Sequence, residues 1–231
     1  FKSRLMPWPL TIHKMSIIWP DLTDSFIEEQ ASLFRDMAFE SLELQKNSLV
    51  PVEQFAELYL GYELDFVDDD GSLPGEVIGG IDFDSKTIII NSAIENHIGR
   101  YSFTIAHEIA HHVLHRDLFL AARSEVAIMC RGGSKRPIEE VQADRFAEAL
   151  LMPLSIVKEH FKLVSGRKPI SKNGRLALAS KVIKSSGLLN VSVTAMAMRL
   201  QHLGLTPATN WFKNPIFRFI HQIYKKVNQD S

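Results

Sequence analysis

The sequence predicts an α+β fold, in which a small antiparallel sheet packs on a helix bundle and a mostly helical C-terminal region follows. Three features of the 231-residue chain carry that expectation. EVIGGIDFDSKTIIIN reads as two strands joined by a tight turn at Asp82 to Lys86, with Thr87 to Ile90 β-branched throughout. RYSFTIAHEIAHHVLHR and PIEEVQADRFAEALLMP have the length and apolar spacing of buried helices. Beyond Pro153, the stretches LSIVKEHFKLVSG, NGRLALASKVIKSSG, SVTAMAMRLQHLG and PIFRFIHQIYKKVNQ each fit a short amphipathic helix bounded by Gly or Pro.

Taken in order, the chain starts with an apolar lead, FKSRLMPWPLTIHKMSIIWP. Pro7, Pro9, His13 and Lys14 interrupt its apolar run, so a signal peptide is not expected. DLTDSFIEEQASLFRDMAFESLELQ has helical periodicity, with Asp21 or Thr23 as its cap and acids in the first turns. PVEQFAELYLG fits a shorter helix, opened by Pro51 and closed by Gly61. Tyr62 to Val67 alternates as a strand and runs into a loop ahead of the hairpin. Between the two long helices, DLFLAARSEVAIMCRGGSK reads as a connection, with Gly132 and Gly133 marking a loop. The second long helix is opened by Pro137 and closed by Pro153. These boundaries divide the chain into a lead (1–20), a main domain (21–155), a helical region (156–205) and an amphipathic C-terminal helix (206–231).

Composition narrows the class. A single cysteine, Cys130, excludes an intramolecular disulfide and makes a reducing, cytoplasmic setting the default. No window reaches the roughly 18 uninterrupted apolar residues that a membrane-spanning helix needs. The net charge of -1 hides an asymmetry: residues 1–150 carry 13 basic against 25 acidic side chains (-12), and residues 151–231 carry 13 against 2 (+11). Blocks of opposite sign point either to different partners or to two halves that attract one another.

The chemistry is concentrated at His107-Glu108-x-x-His111. On a helix, two histidines four apart lie about 40° off one face and roughly 6 Å apart along the axis, so both imidazoles reach one ion. Glu108 sits where a carboxylate takes a proton from zinc-activated water. The surrounding Ile105, Ala106, Ile109, Ala110, Val113 and Leu114 place this helix in a core, where histidines require partners. A catalytic zinc site keeps three protein ligands and an open position. His115 lies roughly 12 Å beyond His107 along the axis, too far to share its ion, and His112 is turned off the metal face.

The third ligand therefore comes from elsewhere. Glu140 and Asp144 stand four apart on the second long helix, so one carboxylate can coordinate while the other accepts a hydrogen bond from a ligand imidazole. The reading assigns Glu140 as ligand and Asp144 as the supporting acceptor, with Glu139 off that face. The competing reading leaves both acids on a solvated surface.

FTIAHEIAHHVLH followed some thirty residues later by EEVQADRFAEALLMP resembles the paired signature of the ImmA/IrrE family of zinc metallopeptidases, found in bacteria and their mobile elements. The resemblance covers about residues 50–205 and includes VSVTAMAMRLQHLGL, similar to a helix-turn-helix-like region that follows the LLMP helix in many members. It implies a zincin-like arrangement with one catalytic Zn2+ on His107, His111 and Glu140, Glu108 as general base and Asp144 behind a ligand. It also implies a protein substrate, such as a helix-turn-helix repressor whose inactivation derepresses genes. The first 45 or so residues and the aromatic C-terminus fall outside the family's pattern.

Several points stay open at the level of sequence. Tyr101, His112 and His115 are candidates for a second electrophile. The strand KTIIIN either offers its edge to an extended substrate or lies inside the sheet. Met196, Met198 and Leu200 fit a core better than an interface. A rival reading makes the basic C-terminal region a DNA-binding regulator contacting phosphates through Lys181, Lys184 and Arg199. A third makes the protein a zinc-bearing sensor without turnover.

Overall fold

The computed structural model describes residues 19–46, 49–68, 78–122, 128–130, 137–166 and 174–207. Most of the expected lead and of the expected C-terminal helix lies outside these residues, as does the Gly132-Gly133 loop.

Helix α1 (Asp24–Ser41) starts where the sequence places a cap: Thr23 Oγ1 accepts from the Phe26 backbone N–H at 3.3 Å. Its apolar face, Ile27, Ala31, Phe34 and Ala38, is buried at spacings of three and four residues. Phe34 meets the rings of Phe55 and Phe146 with centroids 5.9 and 6.1 Å away, which locks α1 onto its neighbours. Helix α2 (Val52–Gln54) widens into a π-type turn over Phe55–Tyr59.

The hairpin forms as expected from β2 (Gly79–Asp82) and β3 (Thr87–Asn91), preceded by β1 (Glu63–Val67). Asp82 Oδ1 accepts from the backbone N–H groups of Asp84 and Ser85 at 2.9 and 3.3 Å, and Lys86 takes the left-handed conformation with φ 55°. Ile88 and Ile90 are fully buried while Thr87, Ile89 and Asn91 are half-buried, so the strand keeps its two-residue period.

The sheet itself departs from the expected antiparallel form. Its order is β1-β3-β2-β4, and β1 pairs with β3 in parallel, Glu63 opposite Thr87 and Val67 opposite Asn91. Strand β2 is antiparallel to β3 and to β4 (Ile128–Cys130), a strand that the sequence reading left inside a connection. Local pattern shows which residues alternate but not which neighbour they pair with, because strand order is set by long-range packing. One consequence is direct: KTIIIN is paired on both sides and offers no edge, and among the described residues the edges of the sheet are β1 and β4.

The short helical turn Ser92–Ile94 leads into α3 (Ile98–Ala110), which continues through a π-type turn over His111–His115 into α4 (Arg116–Ala122). Helix α5 (Ile138–Leu151) packs across both α1 and α3, and α6 (Leu154–Val164), α7 (Gly174–Ser186) and α8 (Val193–His202) follow. The fold is thus α+β with a helical C-terminal region, as predicted. A single apolar core runs from Ile27 in α1 to Leu200 in α8 and includes Met196, with Met198 half-buried. The C-terminal helices are fitted closely to the rest: a Cβ on Gly99, near the start of α3, would stand 2.8 Å from the Ser192 backbone nitrogen.

Candidate metal centre

Helices α3 and α5 bring the predicted residues together. His107, His111 and Glu140 each present one ligand atom, and these atoms lie within 4.8 Å of one another, all on buried side chains. The two imidazole Nε2 atoms are 3.0 Å apart, Glu140 Oε2 stands 3.3 Å from His107 Nε2, and Glu140 Oε1 stands 3.3 Å from His111 Nε2. Ligand atoms held at about 2.0–2.1 Å around a tetrahedral ion are separated by about 3.3 Å, so each of these separations is close to that between two ligands of one such ion.

Its polarity fits as well. His107 Nδ1 lies 3.0 Å from Asp144 Oδ1, and a carboxylate can only accept. His107 therefore carries its proton on Nδ1 and turns the Nε2 lone pair toward His111 and Glu140. A buried carboxylate facing two ring nitrogens is a group that could hold a cation, and the nitrogen and oxygen set suits zinc.

Glu108 follows His107 on α3 and is 1% exposed. What brings the sheet against it is Gly79, a residue the sequence reading passed over. A Cβ on Gly79 would fall 2.4 Å from Thr104 Cγ2, 3.2 Å from Glu108 Oε1 and 3.3 Å from the Ile89 carbonyl. The glycine allows β2 to lie directly on the face of α3 that carries Glu108. Gly79→Ala is expected to lower stability by about 1–3 kcal/mol in urea unfolding, the usual cost of overpacking. Adding Thr104→Ser, which removes the nearest methyl, should recover most of that loss. Without recovery, the Thr104 contact is not the source of the strain.

The other candidates are occupied in different ways. The Tyr101 hydroxyl donates to Glu53 at 2.6 Å, and its ring stacks on Phe66; burial, then the Glu53 bond and nearby acids, push its hydroxyl pKa up. His112 Nδ1 pairs with the Tyr62 hydroxyl at 2.8 Å, and burial, helped by Arg116 and Lys86, lowers its pKa to about 4. Burial of Tyr62 in turn raises its hydroxyl to about 12, so that hydroxyl keeps its proton. His115 is 1% exposed and sits behind His111 rather than before it, with the two Nδ1 atoms 3.0 Å apart. Burial and the neighbouring His111 lower its pKa to about 3, which keeps it neutral. The π-type turn over His111–His115 accompanies this pairing, and a helix taken as regular gives no hint of it. Glu139 is half-buried and off the metal face, as expected, and it accepts from the Trp19 side chain.

Of the three residues proposed for phosphate contact, Lys181 and Lys184 are exposed. Arg199 is not available. It is 4% exposed, its Nη2 donates to both Glu28 carboxylate oxygens at 2.6 and 2.7 Å, and its Nε donates to the Met152 carbonyl at 3.0 Å. A buried guanidinium needs such partners, and α1 supplies them.

Among the described residues, no helix is long and apolar enough to cross a membrane. A comparison with curated proteins finds no match. Among solved structures, one titled "Mycobacterium tuberculosis transcriptional regulator" aligns at 15% identity with a TM-score of 0.42, over 78% of this chain and 52% of that one. The present chain thus spans about half the length of that protein. Residues 62–166, which contain β1 to β3, the His-His-Glu group and the helices that carry it, match the family described as Peptidase_M78, IrrE N-terminal-like domain.

Proposed function

We propose that the protein is a zinc-dependent endopeptidase acting on a regulatory protein, such as a helix-turn-helix repressor, in the cytoplasm. The observation that carries this reading is the convergence of His107, His111 and Glu140 on one point, with Asp144 orienting a ligand ring and Glu108 one residue from a ligand. In this reading residues 21–155 are the catalytic unit and residues 156–205 a helical support.

His107 Nε2, His111 Nε2 and one Glu140 oxygen would hold the ion. Zinc bound there lowers the pKa of water to near neutrality and polarises a peptide carbonyl. Asp144, by accepting from His107 Nδ1, keeps that ring in the tautomer that has a lone pair to give. Glu108 accepts the proton that the attacking water loses and returns it to the nitrogen of the departing peptide. Its burial against Gly79 keeps competing water away from the carboxylate, which strengthens each charge interaction it makes.

Metal analysis of the purified chain is the first test. Near-stoichiometric zinc is expected, lost in His107→Ala and in Glu140→Ala. A wild-type protein that takes up no zinc from a buffered solution would exclude the reading. A DNA-binding function is disfavoured by the engagement of Arg199 with Glu28, and a salt-dependent shift of duplex DNA that survives loss of the metal ligands would revive it.

A further inference from the structure

Behind the metal centre, a second set of buried groups runs from His111 to the start of the described chain. His111 Nδ1 lies 3.0 Å from His115 Nδ1, His115 Nε2 lies 3.1 Å from Gln142 Oε1, and Gln142 Nε2 lies 2.6 Å from the Pro20 carbonyl. We infer that His115 and Gln142 are positioning residues of the metal centre, forming with the Pro20 carbonyl a one-way hydrogen-bond chain that presents His111 to the ion with its Nε2 unprotonated. The inference rests on the metal-centre reading above and names residues beyond its ligands and the Asp144 support.

The direction of the chain is forced from its far end. A backbone carbonyl only accepts, so the Gln142 amide nitrogen must face Pro20 and its oxygen must face His115. His115 Nε2 therefore carries a hydrogen, because an amide oxygen cannot donate. A neutral imidazole has one donor and one acceptor, which makes His115 Nδ1 the acceptor. The group facing it, His111 Nδ1, must then be the donor, and neutral His111 is left with its lone pair on Nε2. That atom is the one turned toward His107 Nε2 and Glu140.

The chain is also clamped in place. The Trp19 ring stands edge-on to His115 with centroids 5.0 Å apart, and its side chain bonds Glu139 on α5. His115 and Gln142 are 1% and 3% exposed, so bulk water does not compete for their bonds. His107 and His111 are thereby oriented by different devices, a carboxylate for the first and a neutral relay for the second. A neutral relay fixes the ring without adding negative charge beside the Glu140 carboxylate.

The test is metal binding by the full chain, read as zinc affinity against a chromophoric chelator and as the visible spectrum of the cobalt-substituted protein. Loss of a supporting hydrogen bond typically weakens metal affinity about 10–100-fold. His115→Leu should show that loss together with an altered cobalt spectrum. His115→Asn should restore most of both, because the Asn Oδ1 takes the place of the Nδ1 acceptor. Gln142→Leu should weaken binding, and Gln142→Glu should weaken it less, because its oxygen still accepts from His115 although the bond to the Pro20 carbonyl is lost. Melting of each metal-free variant checks its folding. If His115→Leu does not fold, the Gln142 pair decides. Equal affinities and spectra for wild type and the leucine variants would overturn the inference, as would Leu and Asn variants impaired alike. A wild-type protein that binds no metal would instead remove the metal-centre reading on which the inference stands.

Discussion

Glu108→Gln is expected to retain zinc at wild-type stoichiometry and to lose hydrolysis by about two to four orders of magnitude, the usual contribution of a positioned proton acceptor. The amide has nearly the volume of the carboxylate, so the contact with β2 at Gly79 and the packing of α3 survive the change. None of the three converging ligand atoms belongs to Glu108, so the ion keeps its protein partners. What disappears is the ability to take a proton, since a neutral amide is a negligible base at pH 7. The check pairs zinc content with the rate of cleavage of a peptide library, or of a helix-turn-helix repressor once one is found. Full cleavage by the variant would assign the base elsewhere. Loss of zinc together with activity would make Glu108 a structural part of the site. The same variant, loaded and inert, should hold a true substrate long enough for it to be isolated.

How far the sequence foretells this site depends on whether the spacing is local. His107 and His111 fall on one helical face and Glu140 and Asp144 on another, and the helix period alone puts each pair together. Only the meeting of the two helices had to be supplied, and the apolar residues around both pairs imply it, since each helix is buried on most of its surface. Thr23 is legible for the same reason, because a cap acts within one turn. The parallel pairing of β1 with β3 and the addition of β4 are long-range choices and leave no local trace. The role of His115 is hidden by the π-type turn, for a regular helix makes it look like a residue one turn too far rather than one placed behind a ligand. Gln142 and Pro20 are 122 residues apart, and nothing in either neighbourhood announces the other. Gly79 could have been noticed: Gly79-Gly80 at the start of a strand is costly unless another backbone or helix comes close.

Arg199→Ala is expected to destabilise the fold by about 3 kcal/mol, the low end of the range for breaking a buried ion pair. The low end applies because the Glu28 side chain is 23% exposed and water can partly replace its partner. Truncation removes a two-point bond from α8 to α1 and the bond to the Met152 carbonyl, just past the end of the helix that bears Glu140. Arg199→Lys should fall between, because an ammonium cannot make both bonds in the same fork geometry. Urea unfolding measures the effect. An arginine reserved for DNA phosphate would behave oppositely: its loss would leave stability alone and reduce the salt dependence of DNA binding by about one unit. The buried pair also bears on the opposed charges of the two halves. Arg199 of α8 meets Glu28 of α1, so an acidic side chain of the front half receives a basic side chain of the back half. Part of the asymmetry therefore serves attraction within the chain, between the part that carries the metal ligands and the helices that follow it. Reversing the pair as Glu28→Arg with Arg199→Glu should recover some of the stability lost by either change alone, a coupling expected of direct partners and absent if the two residues act separately.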